Sequence, residues 1–186
     1  GVYVQAGGCL AKTDKATGKV RWRSLKDGGG MMGSAFSSPV LTRLAGKEQL
    51  VVQTRAKLAG VEADTGKELW SKEIPSFRGM NILTPIPFGD DGLFTSTYGG
   101  NTRLLKVSSD GGNYTAADAW AVKYEGNMST PVVVGGNAYL LGKDKRVFCV
   151  ELKTGKELWR TDERYGEYWS LVTAGDKVLA LDNRGI

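Results

Sequence analysis

The hexapeptide TGKELW stands twice in this chain of 186 residues, at positions 65–70 and 154–159. A looser copy, TGKVRW, ends at Trp22. Each copy follows a β-rich apolar run, as in LAGVEADTGKELW and VFCVELKTGKELW. Ser-Pro or Thr-Pro pairs place prolines at 39, 85 and 131, so one unit recurs every 46 residues. A period of this size requires a stacked or radial array, because one such unit cannot bury both of its faces alone.

Each unit reads as four short strands. In the third they are expected at 131–134, 138–142, 147–152 and 157–160. Gly and Asn punctuate them, supplying the positive φ that tight turns need. Glycine is abundant, at 26 residues, about twice the average share, as many turns demand. No stretch carries a 3.6-residue apolar period. Four antiparallel strands per 40–50 residues are the pattern of a β-propeller blade. The reading is therefore all-β: a partial blade at 1–22, blades at about 36–70, 82–120 and 128–159, and a partial blade at 168–186. The opening GVYVQAGGCL reads as the middle of a strand, so the chain reads as a segment of a longer protein, about four blades of one incomplete propeller domain. Unless the missing blades exist elsewhere, strand edges are expected to be unpaired at both ends.

In each copy Gly takes the left-handed position of the hairpin between the third and fourth strands. The Trp, four residues later, falls on the outermost strand, where a large flat ring can cover the joint with the next blade. Trp22, Trp70, Trp120 and Trp159 are the expected docking residues, with Gly18, Gly66 and Gly155 in the turns. Replacing Trp70 or Trp159 by Ala is expected to cost about 3–5 kcal/mol, as for large buried aromatics.

Asp14-x-x-Thr17-Gly18-x-x-x-Trp22 resembles the tryptophan-docking motif of the pyrroloquinoline quinone (PQQ) repeat family of β-propellers. Glu62…Thr65-Gly66…Trp70 and Glu151…Thr154-Gly155…Trp159 match it with Glu for Asp, and Ala180-x-Asp182-x-x-Gly185 begins a further copy. The unit ending at Trp120 departs: Ser108 replaces the acid and extra residues precede the Trp. The resemblance implies a ring of seven or eight blades. It also points to the family's non-catalytic branch, exemplified by the propeller lipoprotein of outer-membrane protein assembly. On that basis the chain is expected to be a binding or scaffolding module of the bacterial cell envelope or periplasm, with a protein or peptide partner. No cofactor is expected, and any membrane association would lie outside this segment.

The alternative within the family is a PQQ- and calcium-dependent dehydrogenase. Many of those enzymes carry two adjacent cysteines, whereas Cys9 and Cys149 stand far apart here and read as small buried thiols. Trp169 could lie under a quinone, and Asn81, Asn127 or Glu125 could offer oxygen ligands to Ca²⁺, yet no spacing singles them out. The chain has no His, which excludes a Ser-His-Asp triad and leaves no ligand pattern for zinc. Gly28-Gly29-Gly30-Met31-Met32-Gly33 fits G-x-G-x-x-G but precedes a strand with Pro39, so it reads as a loop rather than a dinucleotide cradle. Net charge is a mild +5, without the clustered basic face and interleaved aromatics that nucleic acid requires.

Chain direction alternates in a blade, so the loop before strand one and the loop between strands two and three share a face. The longer, more varied loops fall there, at 23–38, 71–83, 121–129 and 160–170. Binding residues favour such loops on a rigid frame. Arg55, Arg78, Asn81, Arg103, Asn127 and Trp169 are the expected ligand-facing residues.

Overall fold

A computed structural model describes residues 1–6, 8–27 and 36–185; the glycine-rich stretch 28–33 falls outside them. Five antiparallel sheets follow one another along the chain, each with its strands in sequence order. The first holds β1 (Val2–Ala6), β2 (Cys9–Thr13) and β3 (Val20–Ser24). The second holds β4 (Val40–Leu44), β5 (Lys47–Gln53), β6 (Lys57–Val61) and β7 (Glu68–Glu73). The third holds β8 (Ile86–Phe88), β9 (Gly92–Ser96), β10 (Thr102–Asp110) and β11 (Asn113–Val122). The fourth holds β12 (Val132–Val134), β13 (Asn137–Leu141), β14 (Val147–Glu151) and β15 (Glu157–Arg160), and the last β16 (Trp169–Ala174) and β17 (Lys177–Asp182). These are the blades of a β-propeller.

The middle strands read as nearly unbroken apolar runs because both of their faces are covered. Alternate residues serve opposite neighbours. Leu50, Val52, Ala59 and Val61 of the second sheet pack on Leu10 of the first. Val51 and Leu58, between them in sequence, pack on Leu93, Leu105 and Val107 of the third. Phe94 and Leu104 then meet Leu140, Phe148 and Val150 of the fourth. Each core therefore lies between two consecutive sheets. Polar bonds tie the same joints: Thr95 Oγ1 donates to Gln53 Oε1 at 2.5 Å, and Gln5 Nε2 to the Gln53 carbonyl at 3.1 Å. Ahead of the first strands the repeat itself is bonded, Ser38 N–H to Thr84 Oγ1 and Thr84 N–H to Thr130 Oγ1, both at 3.2 Å and 46 residues apart.

The acid-Thr-Gly motif builds the same turn three times. The acid's carbonyl accepts the Gly N–H: Asp14 from Gly18, Glu62 from Gly66 and Glu151 from Gly155, at 2.8–2.9 Å. Its carboxylate takes the Thr hydroxyl three residues on. The three glycines have φ of 70°, 77° and 75°, a region that Cβ disfavours. The third sheet lacks the acid and instead runs β10 and β11 on to a hairpin at Gly111–Gly112, φ 54° and 86°.

One feature recurs in all four outer strands. Trp22, Trp70, Trp120 and Trp159 face Lys12, Gly60, Leu104 and Cys149, and immediately beside each pair the register slips by one residue. A β-bulge twists its strand and re-aims the next side chain. The bulge persists in the third sheet, where the Thr-Gly turn is gone.

The four tryptophans do not share one fate. Trp22 lies over Gly66 of the next sheet and Trp120 over Gly155, where an added Cβ would stand 2.6–2.7 Å from ring atoms. Trp70 is 4% exposed and sits in the core against the longer third-sheet hairpin. Trp159 is 46% exposed, against the expectation of a buried docking residue: its described ring contact is Tyr139 of its own sheet, 6.0 Å between centroids. Gly18 has open space around its Cβ position, so no described ring docks on it. Exposed apolar side chains mark both outer sheets, Val2, Val4 and Val20 on one and Val172, Leu179 and Leu181 on the other.

Candidate loop-face binding site

The loops expected to share a face do meet. Phe77 N–H donates to the Tyr98 carbonyl at 2.9 Å, Lys143 N–H to Glu125 at 2.8 Å, and Tyr165 N–H to Lys145 at 2.9 Å. Gly126 bridges Tyr98 on one side and Gly142 on the other. Each of these three loops between sheets is thus fastened to a neighbouring loop between middle strands.

Among the described residues, several clefts run along these loops. One of about 440 Å³ is lined by Asp27, Arg55, Glu73, Pro75, Ser76 and Gly79 among others. The second, about 360 Å³, shares Pro75 and Ser76 and adds Phe77, Gly99, Gly100 and Lys123. The third, about 150 Å³, shares Lys123 and adds Glu125, Lys143, Asp144 and Arg160. Between them stands a cation-aromatic cluster. Phe77 is 47% exposed, with Tyr98 edge-on at 6.1 Å. Arg78 and Lys143 lie 5.1 and 5.5 Å from the Phe77 ring centre, within the range of cation-π attraction. Arg78 is held there by a left-handed backbone, φ 54°, inside a short 3₁₀ turn at Phe77–Gly79. Arg160 is neutralised by Glu157 and Asp144, and Glu157 raises its pKa further.

The six residues expected to face a ligand divide. Arg55 lines the first cleft, and Arg78 is exposed beside the second. Asn81, Arg103 and Asn127 are corrections, being 0%, 4% and 3% exposed. Asn81 Nδ2 donates to the carbonyls of Thr54, Arg55 and Ile74, stapling the loop before β8 to the second sheet. Asn127 Nδ2 donates to the Glu167 carbonyl at 2.9 Å, tying its loop forward to the loop before β16. Arg103 pairs with Asp118 across β10 and β11, and Asp118 also takes Lys72 of β7, so this charge network joins two sheets, with Arg103 buried and its partners part-exposed. Trp169 opens β16, half-buried, its ring edge-on to Tyr165 at 5.0 Å and its Nε1 donating to the Gly166 carbonyl. Sequence reasoning missed Ser76, Phe77, Tyr98, Lys123 and Lys143. The available signal was the place of Ser76, Phe77 and Lys123 in the same loops as Arg78 and Asn127, and of Tyr98 and Lys143 in the middle-strand loops of the same face.

Of the possible calcium ligands, Asn81 and Asn127 donate their amide N–H to backbone carbonyls, Glu125 faces Lys143 Nζ at 4.0 Å, and the Asn81 Oδ1 is covered without a partner. Cys9 and Cys149 lie in different sheets, the latter 1% exposed with its thiol pKa pushed up by burial. Among the described residues no group of three or more His, Cys, Asp or Glu is placed to hold a metal ion.

Comparison with known proteins agrees with this architecture. A family model described as outer membrane protein assembly factor BamB matches residues 1–161. The protein of that name from Shewanella oneidensis is 24% identical over 189 residues, covering 95% of this chain and 44% of that protein. The crystal structure of BamB from Moraxella catarrhalis superposes with a TM-score of 0.67 at 17% identity, over 98% of this chain and 54% of that one. A europium-containing methanol dehydrogenase superposes at 0.65 with 16% identity, over 94% of this chain and 44% of that one. At such identities the structural likenesses show the fold alone, and the chain spans about half the length of these relatives. With the blade architecture and a family model matching residues 1–161, the chain belongs to the PQQ-like repeat propeller family of outer membrane protein assembly factor BamB.

Proposed function

We propose that this chain is part of a non-catalytic propeller that docks another protein during outer-membrane protein assembly, on the periplasmic side of the cell envelope. One observation carries the reading: an exposed Phe77, flanked by Arg78 and Lys143, on loops bonded to one another rather than loose. Aromatic and Arg anchors on a rigid support are the composition of interaction hot spots. The name of the family and of its Shewanella relative supports the assembly role.

The test is complementation in the source bacterium. The full-length protein carrying Phe77→Ala with Arg78→Glu should fail to restore outer-membrane protein levels in a strain lacking the gene. Lys67→Glu, on the opposite hairpin face, should restore them. Full restoration by the Phe77/Arg78 variant would overturn the assignment of the docking face.

A further inference from the structure

The third sheet differs from the others along its outer edge. β3, β7 and β15 are four to six residues long and each carries charge: Arg21 and Arg23, then Glu68, Lys72 and Glu73, then Glu157 and Arg160. β11 runs for ten residues, and from Asn113 to Ala117 it has neither a charge nor a proline. Asp118, which ends this run, is already paired with Arg103 and Lys72. β11 is the last strand of its sheet. The tight loop at Gly111–Gly112 makes Asp110 and Asn113 a hydrogen-bonded pair, so Asn113, Thr115 and Ala117 turn their backbone groups toward β10. Tyr114 and Ala116 turn theirs away. β10 shows the same alternation: Val107, opposite Ala116, donates its N–H away from β11 to the Asp91 carbonyl at 2.8 Å. Among the described residues no backbone group from outside the hairpin bonds to Tyr114 or Ala116.

Open backbone groups are a template for another strand, so native edges are guarded by charge, proline or a cover. The charges that guard the other outer strands are missing from the longest one. Packing accounts for one face of the hairpin, where Tyr114 and Ala116 lie on the core around Trp70. Asn113, Thr115 and Ala117 stay exposed. We infer that β11 accepts an extended, uncharged segment of another protein as a further antiparallel strand along Asn113–Ala117. Two residues of that segment exchange N–H···O bonds with Tyr114 and Ala116. Their side chains fall on the Tyr114 face, where an apolar or β-branched residue packs best against the ring. The residue between them falls on the exposed face opposite Thr115 and is polar. The segment is thus held by its backbone and selected by alternate side chains. A second copy of this chain fits less well. The bulge beside Trp120 ends the straight run after Asp118. A rigid partner would meet only Asn113–Asp118, far short of the roughly 20–30 residues a side of a stable interface.

Neither Phe77 nor Arg78 takes part, so this edge is separable from the loop face proposed above. The blocked peptide acetyl-Ser-Thr-Val-Thr-Val-Thr-Ser-amide is titrated into the full-length protein. Binding is followed by calorimetry, and amide protection by hydrogen–deuterium exchange with mass spectrometry. The fully N-methylated peptide, which has no backbone N–H to donate, is the comparison probe. The expected result is saturable binding that slows exchange across β11 and is lost with the N-methylated peptide. It should weaken at least about ten-fold in Ala116→Pro, where the N–H removed points outward. Thr115→Lys with Ala117→Lys, at exposed positions, should weaken it likewise and leave the tryptophan fluorescence unchanged. Phe77→Ala with Arg78→Glu should leave it intact. No saturable binding, equal binding of the two peptides, protection on a different outer strand, or full binding by the Lys variant would each overturn the inference. So would exchange across β11 that slows with protein concentration alone, the mark of a second copy on this edge.

Discussion

Trp120 and Trp70 do the same task at adjacent joints by different means. Trp120 lies flat on Gly155 of the next sheet and donates its indole N–H to the Leu152 carbonyl at 2.7 Å. Seat and acceptor both come from the neighbour's acid-Thr-Gly turn. Trp70 meets a sheet without that turn. Its N–H goes back to Gln49 of its own sheet at 2.6 Å, crossing Gly60, where any Cβ would stand 2.1 Å from Nε1. The longer hairpin of β10 and β11 covers it with Val107, Tyr114 and Ala116. Trp22 is intermediate: it has its glycine seat, Gly66, but its N–H is covered and unpartnered. The corresponding carbonyl, Ala63, is taken by Tyr3 Oη and Lys12 Nζ, both at 3.1 Å. A joint thus needs a covered ring, while the N–H acceptor can be supplied from either side or not at all.

The largest expected effect separates the buried ring from the exposed one. Trp70→Ala should cost about 3–5 kcal/mol in urea unfolding, whereas Trp159→Ala should cost less than about 1 kcal/mol, as at an ordinary surface site. Equal costs would mean that Trp159 is covered in solution. Next comes the glycine seat. Gly155→Ala forces a Cβ into the Trp120 ring at positive φ and should cost about 2–3 kcal/mol. Gly111→Ala, at φ 54° but in open space, should cost only about 1–2 kcal/mol, the left-handed penalty alone. If the two costs coincide, the stack on Gly155 adds nothing. Gln49→Leu leaves the buried Trp70 N–H without an acceptor and should cost about 1–3 kcal/mol. No loss there would show that the joint tolerates a bare indole, as the Trp22 joint does.

The smallest effect is a pH dependence that the third sheet should lack. Asp14 is held well below the usual carboxylate range, first by the Arg21 guanidinium and then by the N–H groups of Thr17 and Ala16. Glu62 is lowered too, first by Lys47 at 2.6 Å and then by the Thr65 hydroxyl. A group with a depressed folded pKa binds fewer protons folded than unfolded. Its contribution is therefore present above the unfolded value, about 4, and is lost as pH falls through the folded one. Between pH 5 and 3 the urea midpoint should drop, and Glu62→Gln should flatten part of that slope. An unchanged slope would remove the carboxylates from the stability of these turns.

Much of the fold was legible because its signals are short. The acid, Thr, Gly and Trp fall within nine residues, and their bonds close inside that window, so the sequence could spell the turn and its positive φ. The nearly unbroken apolar runs of the middle strands likewise suit sheets covered on both faces. The candidate site was legible only as a face. Arg55 and Arg78 were found there, but Asn81 and Asn127, chosen as exposed amides, point inward.

What the sequence by itself determined was the blade, its 46-residue spacing, its turns and the outer-strand place of each Trp, because local hydrogen bonds and side-chain alternation fix them. The tertiary structure alone decided which Trp is buried, where each indole N–H goes, and that Asn81 reaches back 27 residues to the Thr54 carbonyl while Asn127 reaches ahead 40 to Glu167. It alone brought Phe77, Tyr98 and Lys143 together. Those outcomes depend on what the neighbouring sheet presents across the joint, and no window as short as one blade contains both sides of it.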